Sequence, residues 1–425
     1  MRTVATAGAV AAAMLLQPAT SGSIHTIAQQ EPWRTAFEPS SASLSADGRY
    51  VAFASYARLD ARDADERRDI YVLDRATGQV SLESPPSNVL PDNGDRRHPR
   101  LSGDGHIVVY ERGSSSHSDI VVRERLTGRL TVVTQGRQGT TADGFSSNPE
   151  ISRDGRVVVF SSNATNLVSE RDPNGAAEDI YLYDRLSGTL ERISGAAFGS
   201  SVAPSVSADG RYVAFASTAD FSQPAPPGRL PWYEVYALDR ISKGIHVVSR
   251  GVARDHPNGG SWSPALSADG RWLAFVSSAT NLVAEDRNHS PDVFVSDLST
   301  GRIELVSRTP AGAAANGRSA APAISDDGQV VAFQSEASDI SCGRRCPPAS
   351  EDINLLWDVF VRDRQKATTR RVSRDTRSEW MEPSAGPAMN ASGMVIVFSS
   401  RHPIDASDTK NDFDLFICAP RFAGR

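Results

Sequence analysis

Apolar residues in this chain come in runs of five or six, rich in valine, alanine, isoleucine and aromatics, each bounded by glycine, aspartate, serine or proline. Tyr50-Val51-Ala52-Phe53-Ala54-Ser55 and Asp69-Ile70-Tyr71-Val72-Leu73-Asp74 are typical. Runs this short, with this composition, predict strands rather than helices. They also repeat. Ser-x-Asp-Gly precedes the first kind of run at Asp47-Gly48, Asp104-Gly105, Asp154-Gly155, Asp209-Gly210, Asp269-Gly270 and Asp327-Gly328, and a seventh copy has Ser392-Gly393. Five residues after each glycine stands an aromatic: Phe53, Tyr110, Phe160, Phe215, Phe275, Phe333 and Phe398. The second kind of run follows at Asp69, Asp119, Asp179, Glu234, Asp292, Asp358 and Asp414.

One unit is readable physically. Glycine accepts a positive φ and aspartate hydrogen-bonds nearby backbone, so Ser-x-Asp-Gly is a tight turn between strands. Each unit then supplies four short antiparallel strands. A lone sheet of that size exposes two faces and two edges, and stacking seven of them around an axis buries the faces. The units resemble TolB-like β-propeller repeats over residues 39–420. The resemblance implies an all-β, seven-bladed propeller of four-stranded antiparallel blades. TolB itself carries an additional N-terminal domain, which has no counterpart in the short segment 24–38. The seventh unit runs out of chain before its outermost strand, with only 421–425 left as a tail, so residues 24–31 are expected to complete that blade.

Residues 1–23 carry one early positive charge, an Ala/Val/Leu-rich stretch and a small-residue exit, which reads as a signal peptide and predicts a periplasmic or secreted protein. No later segment is long and apolar enough to predict an integral membrane span. In an exported chain Cys342 and Cys346 either close a small disulfide loop or stand as two loop thiols, while Cys418 lies in an apolar run and reads as a core thiol. The formal charge is −6, which disfavours nucleic acid as a partner. Of 45 basic residues only Lys243, Lys366 and Lys410 are lysine.

The loop before the third strand is acidic in several units. It reads Asp63-x-Asp65-x-x-x-Asp69, Asp286-x-Asn288-x-x-x-Asp292 and Asp352-x-Asn354-x-x-x-Asp358. Closely spaced Asp and Asn oxygens suit Ca2+. They equally suit turns and strand caps, with Arg67, Arg68 or Arg287 as neutralising partners. Calcium is therefore a candidate ligand and no cofactor is required.

Segments entering the innermost strands are expected at one mouth of the central channel. They contain Arg96, Arg97, His98, Asn148, Trp262, Arg318 and Glu382, planar donors and a stacking face that suit an acidic glycan or a peptide terminus. No Gly-x-Ser-x-Gly elbow, Walker loop, dinucleotide fingerprint or His-Glu-x-x-His occurs, and seven blades leave no room for an α/β-hydrolase domain. The expected role is thus a monomeric, non-catalytic module that binds or scaffolds a protein or glycan. The alternative is a glycan-active lyase or hydrolase working at the channel mouth, with no catalytic residue assigned.

Overall fold

The computed structural model describes residues 24–28, 42–85, 94–113, 117–195, 198–221, 232–252, 256–341, 356–373, 384–400 and 414–419. The predicted signal peptide, Cys342 and Cys346 lie outside them. Seven four-stranded antiparallel sheets follow one another in chain order. Blade 2 is typical, with strands Asp95–Leu101, Ile107–Gly113, Ser118–Glu124 and Leu130–Val132 from the axis outward. This is the architecture that the TolB-like repeat implied.

Blade 7 is built from Ser384–Met389, Ile396–Ser400 and Asp414–Cys418, and its outermost strand is Ile24–Ala28. Ile24 pairs with Cys418 and Thr26 with Phe416, so the two ends of the chain are sewn into one sheet. The expected closure by the N-terminal segment is what the structure has. Among the described residues no helix is long and apolar enough to cross a membrane.

The core is seven seams rather than one centre. Ala52, Ala54, Ile70 and Val72 of blade 1 pack on Leu101, Val108, Tyr110 and Val121 of blade 2, and each following pair of blades repeats the pattern. The last seam joins Val397, Leu415 and Ile417 of blade 7 to Val51, Phe53 and Tyr71 of blade 1. The repeat aromatics Phe53 to Phe398 are wholly buried, and most stack on the aromatic of the neighbouring strand, as Phe53 does on Tyr71 at 5.9 Å between ring centres. Cys418 is buried, which pushes its thiol up to about 12.

The Ser-x-Asp-Gly turns explain their own recurrence. Asp47 Oδ1 accepts from Ser45 Oγ at 2.6 Å and from Arg49 N at 2.9 Å, and Ser45 Oγ accepts from Tyr50 N. Glycine is required twice over in blade 5: Gly270 has φ +69°, and a β-carbon there would lie 2.2 Å from the Tyr212 ring of blade 4. The variable residue x faces the axis. Its amide donates to the x carbonyl of the next blade from Ala46 to Gly103 (2.8 Å), Gly103 to Arg153, Ala208 to Ala268, Ala268 to Asp326, Asp326 to Ala391 and Ala391 back to Ala46 (3.1 Å), with Asp154 taking over between blades 3 and 4. These bonds form a closed belt at the turn end of the channel.

Convergence at the axis explains why x is alanine or glycine in five blades. Arg153 and Asp326 are the exceptions, and they pair with each other across the channel. Both are about a third exposed, so the pair adds little stability. Replacing both with alanine, the residue of blades 1, 4, 5 and 7, is expected to change unfolding free energy by about 1 kcal/mol or less in urea.

The arginine excess also has a structural cause. In blades 1–4 and 6 the arginine after the third strand donates to the carbonyl of the turn glycine, as Arg125 Nη1 does to Gly105 O at 2.7 Å. A planar, forked donor does this where lysine offers only a point charge.

Candidate functional site

A channel of about 430 Å3 runs along the axis and is lined by the innermost strands of all seven blades. Those strands share a bulge just before their proline. His98, Asn148, Ala203, Ser263, Ala321 and Gly386 occupy it in blades 2 to 7 with φ between +47° and +64°, and the register slips there in each blade. The bulge places its residue on the channel wall. Because six blades pay the same backbone strain, the conformation belongs to the fold. The side chain it presents is free to vary, and it is small in blades 4 to 7.

Blades 2 and 3 depart from that pattern at the bulge and on the far side of the proline. Their bulges hold His98 and Asn148. Further in, Arg100 Nε lies 2.6 Å from Glu150 Oε1, whereas the matching residues of blades 1 and 4 to 7 are Ser43, Ser205, Ala265, Ala323 and Ala388. At the bulges and the residues beside their prolines, one wall of the channel is therefore polar and charged and the opposite wall is alanine, serine, glycine and proline, with Asp326 the charged residue on that side at the turn end.

Blade 2 departs furthest. In blades 3 to 7 the first and second strands face each other through a buried serine pair, such as Ser146 and Ser162 at 2.9 Å or Ser261 and Ser277 at 2.8 Å. In blade 2 the same register position holds Arg96 opposite Arg112. Arg96 is completely buried and lies 3.8 Å from Asp69. Arg112 Nη2 lies 2.8 Å from Asp119. One step along, Arg97 is opposite Glu111, where other blades pair residues such as Val202 and Ala216. Glu111 gathers the mouth: His98 Nδ1 is 2.9 Å from its Oε1, and the Asn148 amide donates to the same oxygen at 2.6 Å. Beside them Asp95, Arg97, Glu111, Ser118, Phe145 and Ser147 line a small pocket of about 140 Å3. Burying this much charge gains little for folding, since a hydrophobic or serine pair does the same work in the sister blades.

The structure thus brings Arg97, His98 and Asn148 together and places Arg96 behind them, too buried to touch a ligand. Trp262 packs partly buried on the seam between blades 5 and 6. Arg318, across the ring, is tied to Glu336 by two hydrogen bonds of 2.9 and 2.7 Å. These two do not join the blade 2 cluster, and Glu382 lies outside the described residues. Sequence reasoning missed Glu111 and Arg112, which follow the repeat aromatic Tyr110 directly, and the axial pair Arg153 and Asp326. The usable signal was their mismatch with the other six copies.

Of the acidic loops, Asp63, Asp65 and Asp69 converge, with one oxygen from each within 4.8 Å of the others. Tyr71 donates to Asp63 at 2.5 Å and Ser84 to Asp69 at 2.5 Å. Burial pushes the Asp69 carboxyl up to about 6, with Ser84 and Arg96 opposing. Asp286, Asn288 and Asp292 also meet in blade 5. In blade 6 Asp358 is held by Arg371 at 3.1 Å, and Asp352 and Asn354 lie outside the described residues.

Blade 3 gives a pH signature. Burial pushes Asp179 up to about 6, Ser194 opposes this, Asp172 adds to it and Arg192 lowers it. Between about pH 4 and 6 the folded chain then keeps a proton that the unfolded chain has released, so the stability from this group is full below about pH 4 and declines as pH rises through 6. Asp179→Asn should flatten that decline, at most about 3 kcal/mol, in melting curves recorded across the window.

No protein-family model matches the chain, and no curated protein resembles it in sequence. Solved structures do match. An oligogalacturonate lyase from Vibrio parahaemolyticus aligns with TM-score 0.58 and 12% identity over 96% of this chain and 97% of its own. An oligogalacturonate lyase in complex with manganese aligns with TM-score 0.54 and 13% identity over 91% and 90%. TolB from Acinetobacter baumannii aligns with TM-score 0.40 and 15% identity over 89% and 84%.

At these identities the likeness is one of fold. It nevertheless corrects the expectation of a non-catalytic module. That expectation leaned on the lack of an appended hydrolase domain, yet the two lyases share this propeller fold over nine-tenths or more of their own length, so that lack does not argue against an enzyme. Among the described residues the one cluster of three His, Cys, Asp or Glu side chains is Asp63, Asp65 and Asp69, while Glu111 and Glu150 are engaged by His98 with Asn148 and by Arg100.

Proposed function

We propose that the protein is a glycan-active enzyme, a lyase or hydrolase acting on acidic oligosaccharides at the blade 2 side of the channel mouth. The observation that carries this is the charge gathered in blade 2, where Arg96 and Arg112 stand in place of the buried serine pair of blades 3 to 7 and Arg97, His98 and Glu111 meet at the mouth. The fold does not need these residues, so their buried charge is explained by a ligand.

The chemistry fits a uronate. Arg97 offers a forked donor to a sugar carboxylate. A neutralised carboxylate makes the neighbouring ring proton easier to remove. His98 is the candidate base, and the Glu111 carboxylate 2.9 Å from its Nδ1 stabilises the charged imidazole once the proton is taken. The electron pair left on the deprotonated ring carbon forms a double bond to the next ring carbon as its C–O bond breaks, and the leaving oxygen takes up the proton carried by the His98 imidazolium, so a lyase step balances without consuming water. The alanine and serine wall opposite leaves room for the sugar ring. Support for the reading also comes from the full-length likeness to two lyases.

The test is incubation with uronate oligosaccharides and with neutral ones of the same length. The reading expects turnover of the acidic series alone. Ultraviolet absorbance from an unsaturated product identifies a lyase, and new reducing ends without that absorbance identify a hydrolase. No turnover of any acidic oligosaccharide would overturn it.

A further inference from the structure

All seven blades open their third strand with a carboxylate: Asp69, Asp119, Asp179, Glu234, Asp292, Asp358 and Asp414. Six of these are buried. In four blades an arginine stands against it. Arg96 lies 3.8 Å from Asp69, Arg112 lies 2.8 Å from Asp119, and Arg371 lies 3.1 Å from Asp358. In blade 3 Arg192 Nη1 sits between two carboxylates, 3.2 Å from Asp172 and 3.8 Å from Asp179.

Blade 5 keeps both carboxylates and lacks the cation. The outer-strand position that holds Arg192 opposite Tyr181, and Arg371 opposite Phe360, holds Leu305 opposite Phe294. Asp292 is fully buried. Its Oδ1 accepts from Ser307 at 2.5 Å and its Oδ2 from Asn288 Nδ2 at 2.7 Å. Asp286, the counterpart of Asp172, is only 4% exposed; the Asn288 backbone amide is the donor near it, and no well-aligned hydrogen bond satisfies either carboxylate oxygen. Asp286 and Asp339, both negative, are charges that act on Asp292. His289 is the one basic side chain that acts on Asp286. No Lys or Arg among the described residues forms an ion pair with Asp286 or Asp292. Two buried carboxylates with no countercharge are costly, and an unsatisfied one more so.

We propose that blade 5 binds a hard divalent cation, Ca2+, between Asp286 and Asp292, where blade 3 places the Arg192 guanidinium. Calcium takes six to eight oxygens with loose geometry. The two carboxylates supply the charge. The Ala315 carbonyl, which accepts from Asn288 Nδ2 at 2.7 Å, is a third donor. Turning the Asn288 amide end for end would present a fourth, and water fills the rest. Blade 1 differs because Tyr71 and Arg96 already serve Asp63 and Asp69. The ion is structural and independent of the channel chemistry: it fixes the loop between the second and third strands of blade 5.

The test is thermal melting of the full chain, stripped of metal, in calcium chloride against chelator. Wild type is expected to gain about 3 °C or more in calcium. Asp286→Asn should abolish the gain. Leu305→Arg, which supplies the built-in cation of blades 3 and 6, should abolish it too while raising the melting temperature in chelator, and this variant decides the matter if Asp286→Asn does not fold. Asp63→Asn should keep the gain. Identical wild-type melts in calcium and chelator would overturn the proposal, as would a gain that survives Leu305→Arg or is lost in Asp63→Asn instead.

Discussion

Replacing His98 with alanine is expected to leave the propeller folded and to lower kcat on acidic oligosaccharides by a factor of about 10² to 10⁴, the usual contribution of a positioned general base. The fold half of this expectation rests on the sister blades. Ala203 and Ala321 sit in the same bulge with φ of +51° and +47°, so alanine is already proved compatible with that backbone. His98 is also partly open to the channel, and its removal leaves Glu111 still accepting from the Asn148 amide. Melting temperature and kcat should therefore part company. A variant with full turnover would remove His98 from the chemistry, and a variant that unfolds would show that the residue is structural after all.

The second large effect is on stability. Deleting residues 24–28 removes the outermost strand of blade 7 and leaves the edge of Asp414–Cys418 unpaired. The lost ladder and the exposed edge should lower the melting temperature by about 5 °C or more and promote association through that edge. Because the strand comes from the opposite end of the chain, its loss also unties the ring. Scanning calorimetry with light scattering checks both consequences, and an unchanged melt would refute the closure.

The fold was legible because each blade solves the same packing problem with the same residues. Ser-x-Asp-Gly, the buried aromatic and the carboxylate opening the third strand recur often enough that one unit explains seven. The site was legible only in part. Arg97, His98 and Asn148 were found by their place at the start of inner strands, but that rule also returned Trp262 and Arg318, which serve a seam and a surface ion pair. Glu111 and Arg112 were hidden inside a strand that reads as ordinary. Only their register shows that Arg112 replaces the serine of blades 3 to 7 and that Glu111 stands where Ser161, Ala216, Val276, Gln334 and Ser399 stand. The acidic loops were legible in spacing alone. Their Asp-x-Asn spacing was visible, but the arginine that fills the site in blades 3 and 6 comes from the outer strand, more than ten residues on.

The role of blade 2 can be put to one direct measurement, a crystal structure with a short uronate oligosaccharide at saturating concentration. A sugar carboxylate against Arg97 with its ring beside His98 is the expected result. A sugar bound elsewhere on the propeller, with the blade 2 side of the channel mouth unchanged, would contradict the assignment of blade 2 as the site.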